Sequence, residues 1–264
     1  MSQDGMAGLR VSSADIRQVL GDLQDEDWNS PSAAIGWSVR DVAAHVGDLL
    51  GILVAAVQGE LHTDLGIERL NDQRVAEGRD AGPDRVLDAF DRQVATALAV
   101  FDGLQSEPYA STEAPYLDLG SYPLHAMADL CAFDFYTHLR WDILAPRGPL
   151  RHSVPAPDDV RLAPAVQWLL AGLPHMQPRL VEKLAAPLRL TLNGPAGGSW
   201  SLEPANGVIH VIPEVDASPT TVEVRSSTHD FTAWATTRVN WRDVVSVHGD
   251  QEIAATFLDA INLV

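Results

Sequence analysis

From Gly36 to Val57 the chain reads GWSVRDVAAHVGDLLGILVAAV, with apolar residues at Val42, Val46, Leu49, Ile52 and Leu53. That three-and-four spacing belongs to a helix with one buried face. Ser38 and Asp41 stand in capping-box order and predict a start at about Val39. The run Ile16, Val19, Leu20 and Leu23, behind Ser12 and Asp15 in the same order, predicts an earlier amphipathic helix that ends near Asp25. Between them, the stretch from Asp27 through Pro31 to Ile35 reads as a loop. The polar section Glu60 to Gly82 is at most partly helical. Val86, Phe90, Val94, Leu98 and Phe101 behind Pro83 predict a long third helix, with proline at the start, where it is tolerated. Ser106 to Tyr122 reads as a loop, and Asp129 to Arg147 as the helix that closes the set.

Prolines and Gly148 in the stretch PRGPLRHSVPAP, Pro146 to Pro157, prevent that last helix from continuing and mark a boundary. Helices are expected at Ala163 to Leu173 and Pro178 to Ala185. The period then changes. Leu188 to Leu192, Ser199 to Leu202, Val208 to Ile212 and Thr220 to Val224 are short alternating or β-branched runs bounded by turn residues, as in a small antiparallel sheet. Ser227 with Asp230 caps a helix from Phe231 to about Val239, and Asp250 caps one from Glu252 to Asn262. The fold expected is α+β in two domains: a four-helix bundle over residues 1–148 and a small α+β domain over residues 155–264.

Composition narrows the function. With 18 basic against 36 acidic residues, the net charge of −18 repels phosphate backbones and anionic lipid heads, so neither nucleic acid nor a membrane surface is an expected partner. The opening MSQDGMAGLR lacks the design of a secretory or transit peptide, and Leu49 to Val57 is too short to span a bilayer. A cytoplasmic protein, monomeric or homodimeric, is expected. Its single cysteine, Cys131, excludes a disulfide framework and a CxxC metal site. It either faces a pocket or fills space in a core.

Chemistry concentrates in DLCAFDFYTHLRWDILAPR, where Asp134, His138 and Asp142 recur every fourth residue and share one stripe of the closing helix. Two readings stand for Asp134 and His138. They form a hydrogen-bonded surface pair, or they are two inward ligands of a divalent metal awaiting a third. His45, on the edge of the buried stripe of its helix, offers that third donor, or is a satisfied core histidine.

Together, GWSVRDVAAH, the Asp-x-x-x-His at Asp134 and His138, and the C-terminal VHGDQEIAATFLDAI resemble the mycothiol-dependent maleylpyruvate isomerase family. The resemblance implies an N-terminal DinB-like four-helix bundle and a C-terminal domain similar to sterol carrier protein. It implies metal ligands at His45, Asp134 and His138, although the family's usual glutamate is Asp134 here, one methylene shorter. It places an arginine that binds a substrate carboxylate near Arg238, with Arg242 as the competing position and the cation-favouring C-terminus of the helix as Arg238's other role. It sets Asn71, Arg74 and Arg79 beside the pocket, where the other reading is a solvated face. The cofactors implied are a divalent metal, zinc by its donors, and mycothiol. The activity implied is isomerisation or S-transfer, in which a metal-bound thiolate attacks a small electrophile. Trp141 or Tyr136 would wall the pocket or belong to the core. Two other classes remain open: a non-catalytic protein that binds a small ligand or a metal, and a metal-dependent hydrolase that uses bound water.

Overall fold

The structure is a computed structural model that describes residues 4–214 and 221–263. It divides into two compact units, Met1–Ala156 and Pro157–Val264. No helix among the described residues is long and apolar enough to cross a membrane.

The first unit is built on α1 (Asp4–Gly21), α3 (Val39–Val57), α5 (Pro83–Gly103) and α6 (Met127–Thr137). α1 packs on α5 and α6, and α3 packs on the same two, which closes the bundle. α2 (Asp25–Trp28) is a single turn in the stretch expected as a loop, and α4 (Ile67–Gly78) is the helical part of the polar section. The capping box at α3 forms: Asp41 N–H donates to Ser38 Oγ at 3.2 Å and Ser38 N–H to Asp41 Oδ2 at 2.9 Å. Ser12 caps nothing. α1 begins well before it, because Met6 and Leu9 are buried and extend the apolar stripe, so Ser12 falls mid-helix, 2% exposed. The loop from Ser106 to Tyr122 holds a two-stranded hairpin, β1 (Glu113–Pro115) and β2 (Ser121–Pro123). A 3-10 turn over Leu124–Ala126 leads into α6, and α6 passes into a π-helical turn over His138–Ile143.

The second unit opens with α7 (Asp159–Gly172), whose N-cap Asp158 accepts from Arg161 N–H, so the helix starts four residues before Ala163. Pro178–Lys183 is a 3-10 turn. β3 (Leu188–Asn193), β4 (Gly198–Ala205), β5 (Val208–Pro213), β6 (Val222–Ser227) and β7 (Ser246–Gly249) form one sheet in the order β5-β4-β3-β6-β7. All of its pairs are antiparallel except β3 with β6, which is parallel. The expected strand from Thr220 begins outside the described residues. On one face of the sheet Leu188, Leu190, Leu202 and Val224 meet Phe231, Trp234, Phe257, Leu258 and Ile261, packed too closely to admit a water molecule. This cluster is core, with no chamber for a lipid.

α8 (Thr228–Trp234) starts at Ser227, as expected, and stops earlier than Val239. Arg238 N–H donates to Ala233 O at 2.8 Å and Thr237 N–H to Trp234 O at 3.2 Å, with Thr237 at φ +57°. That pair of bonds around a left-handed residue is a Schellman ending. α9 (Trp241–Val244) follows, and α10 (Gln251–Leu258) is capped by Asp250 and ends before Asn262.

Candidate metal centre

His45 projects from α3 into the bundle and is 3% exposed, while Asp134 and His138 project from α6 and from the turn that continues it. Nε2 of His45 lies 3.5 Å from Oδ1 of Asp134, and Nε2 of His138 lies 3.4 Å from the same oxygen. One donor atom from each residue falls within 4.8 Å of the other two. These separations exceed the roughly 2.9 Å of a good N–H···O bond. They match the edge of a tetrahedron whose centre is about 2.0–2.2 Å from each donor, roughly 3.3–3.6 Å. Oδ2 of Asp134 is buried and finds no hydrogen-bond partner among the described residues. Two nitrogens and a carboxylate, one of whose oxygens is orphaned, make a donor set that fits a divalent cation such as zinc.

Electrostatics point the same way. Burial alone would raise the pKa of Asp134, but the attraction of His138 and His45 beside it holds it far below the carboxylate range. Burial pulls His138 down; the carboxylates of Asp134 and Asp142 beside it outweigh this and push the imidazole up to about 9. At neutral pH the cluster therefore pairs an ionised Asp134 with a proton on His138, and a cation takes the place of that proton.

Trp37 completes the surroundings. Its ring centroid lies 4.9 Å from that of His45, tilted by 53°, and 6.3 Å from that of His138, nearly parallel at 22°. Its loop is tied down by Ser32, whose N–H and Oγ–H both donate to Trp37 O, at 3.0 and 2.8 Å, and by Ala33 N–H donating to Asp142 O at 2.9 Å. The sequence signal for Trp37 was its place directly before the Ser38 cap, which reports on the helix start and says nothing of the ring.

The remaining candidates fall as follows. Cys131 is fully buried, and burial followed by the charges of Asp134 and Asp129 pushes its thiol well above the ordinary value, so it packs and does not ionise. Tyr136 and Trp141 are buried core residues. Arg74 pairs with Glu77 at 3.4 Å and Arg79 with Asp41 at 3.7 Å, both arginines about half exposed, and Asn71 is half-buried. Arg238 lies in the second unit, half-buried, just past the Schellman ending of α8. Arg242 is engaged twice, with the two oxygens of Asp259 at 2.5 and 2.7 Å and over the ring of Trp241 at 4.2 Å.

Comparison with known proteins gives a consistent answer. No curated protein matches the chain. Two solved structures, of the mycothiol-dependent maleylpyruvate isomerase and of a histidine-to-alanine mutant of it, share the fold, each with a TM-score of 0.58. They are 19% and 18% identical to the chain, and the alignment covers 93% of it and 92% of theirs. The model of the mycothiol maleylpyruvate isomerase N-terminal domain matches residues 9–142, a span that begins inside α1 and ends within the turn carrying His138. The chain belongs to the mycothiol maleylpyruvate isomerase family.

Proposed function

We propose that this protein is a metal-dependent, mycothiol-dependent isomerase or S-transferase acting on a small electrophile, with His45, Asp134 and His138 as ligands of a divalent cation, zinc by preference. The observation that carries the reading is the meeting of three donors within 4.8 Å, both imidazole nitrogens at tetrahedral-edge distance from one oxygen of Asp134, with the second oxygen of that carboxylate left over. A cation held there supplies Lewis acidity that keeps a small-molecule thiol ionised at neutral pH. Three protein ligands leave a position for that thiol, as a catalytic site requires and a closed structural site does not.

The chain's own groups do the rest. His45 and His138 present Nε2 from two different helices, so the donors stay fixed to the bundle when a ligand enters. Trp37 lies against both imidazoles and excludes water from that side. Cys131, held as a thiol, does not compete as the nucleophile. Arg238 offers the planar paired donors that suit a substrate carboxylate. A thiol that adds to a conjugated double bond makes it a single bond free to rotate, and its departure restores the double bond in the other geometry.

The test measures zinc content and isomerisation of maleylpyruvate, with and without mycothiol, for the purified protein and for His138→Ala. Zinc near one per chain, lost in the variant, together with turnover that needs both mycothiol and zinc, is expected. Equal zinc in both proteins would overturn the ligand set, and isomerisation that proceeds equally without any thiol would overturn the mycothiol dependence.

A further inference from the structure

We propose that Asp142 and Arg147 form a positioning relay behind His138, and that the carboxylate of Asp142 sets how strongly His138 holds its cation. The inference rests on the metal-centre reading and deepens it. Oδ2 of Asp142 lies 2.8 Å from Nδ1 of His138, the ring nitrogen turned away from Asp134, at ion-pair distance but off the line of a hydrogen bond among the described residues. Oδ1 of Asp142 pairs with the Arg147 guanidinium, which also donates to Trp141 O at 3.0 Å. Asp142 is 1% exposed and the Arg147 side chain 27%. Buried beside Nδ1 and needing only a small turn to align on Nδ1–H, this carboxylate is placed to fix the tautomer, leave the Nε2 lone pair for the cation and raise its basicity.

The local backbone is arranged for this contact. His138 and Asp142 sit in one π-helical turn, a wide turn that often marks functional sites. After Ile143 the chain doubles back over the turn, with Gly148 N–H donating to Leu144 O at 2.8 Å and Leu150 N–H to Ile143 O at 3.0 Å. That return carries Arg147 to Asp142. Burying a charged pair rarely gains stability over an apolar pair of the same volume, so stability alone does not account for it. Asp142 also accepts Ala33 N–H through its carbonyl, so one residue holds both the imidazole and the loop that bears Trp37.

The test titrates zinc into metal-free protein against a chromophoric chelator and records the visible spectrum of the cobalt-substituted form, for wild type, Asp142→Asn, Arg147→Gln and His138→Ala. The relay requires a zinc dissociation constant about 10- to 100-fold higher in Asp142→Asn. It requires a smaller change of the same sign in Arg147→Gln, and a shifted cobalt band in both. A purely structural role would lower the melting temperature of the metal-free variants and leave the cobalt band in place. Wild-type affinity and spectrum in both variants, while His138→Ala loses the metal, would overturn the relay and leave the metal centre standing. If Asp142→Asn does not fold, Arg147→Gln decides alone. Failure of the wild type to bind zinc or cobalt would sink both readings.

Discussion

The rings of His45 and His138 meet edge to face, with centroids 4.9 Å apart and planes at 76°, and both Nε2 atoms turn toward one oxygen of Asp134. An apolar contact between two helices would not hold two buried imidazoles at this angle around a carboxylate. Because Asp134 already places its oxygen at 3.4 and 3.5 Å from the two nitrogens, the site is sized for the shorter side chain. Asp134→Glu adds a methylene to a half-buried position between two buried imidazoles, which costs about 1–3 kcal/mol in packing. The zinc dissociation constant should rise about tenfold, measured by competition with a chelator. Unchanged or tighter binding would show that the site adapts freely to either carboxylate.

Trp37 lies against the two imidazoles and should report on the ion. Binding of a cation replaces a proton on His138 and fixes both rings, which alters the quenching of an indole 4.9 and 6.3 Å away. Titrating zinc into metal-free protein should change the tryptophan emission, and Trp37→Phe should remove most of the change while six other tryptophans remain of the seven. A response that survives the substitution would assign it to another indole.

Much of the bundle was legible because each signal was local. The α3 start followed from Ser38 and Asp41, whose reciprocal bonds need only three residues of spacing. The same pattern misled at Ser12 and Asp15, because the buried Met6 and Leu9 carry α1 through it, and tertiary burial outweighs a capping motif. The pairing of β3 with β6 was not readable, since a parallel neighbour is set by the path of the chain between the strands and leaves no mark on either. β7 escaped because it is a short, largely exposed edge with no alternation. Asp134 and His138 were visible as a helical pair, and Asp142 as the next member of the stripe. What Asp142 does was not visible, because the π-helical turn and the return at Gly148 are what bring its two partners together.

A second buried carboxylate gives the bundle a pH dependence of its own. Asp129 on α6 is 4% exposed, its Oδ1 has no hydrogen-bond partner among the described residues, and burial first, then the charge of Asp4, pushes it up to about 8. Its folded pKa lies above its unfolded value, so its contribution is fully present below about pH 4 and is lost as pH rises toward 8. Asp129→Asn removes the ionisation. At pH 8 the variant should be more stable by on the order of 2 kcal/mol, and the gain should vanish toward pH 4. Denaturant melts across that range decide it, and a gain that does not vary with pH would mean that Asp129 is solvated in the fold.

Gly148 tests whether the doubled-back segment is built to tolerance. A Cβ placed there would lie 2.3 Å from the carbonyl carbon of Ile143 and 2.7 Å from Asp142 O, backbone atoms that cannot turn aside as a flexible side chain does. Gly148→Ala must therefore lift the segment off the π-helical turn and with it draw the Arg147 guanidinium from Asp142. Overpacking of this kind costs about 1–3 kcal/mol, seen as a lower denaturation midpoint. If Arg147 supports His138 through Asp142, the same substitution should weaken zinc binding severalfold in protein that remains folded. Gly148→Ala with full stability would show that the segment has room to move. Lost stability with unchanged zinc affinity would separate the packing of the return from the hold on the imidazole.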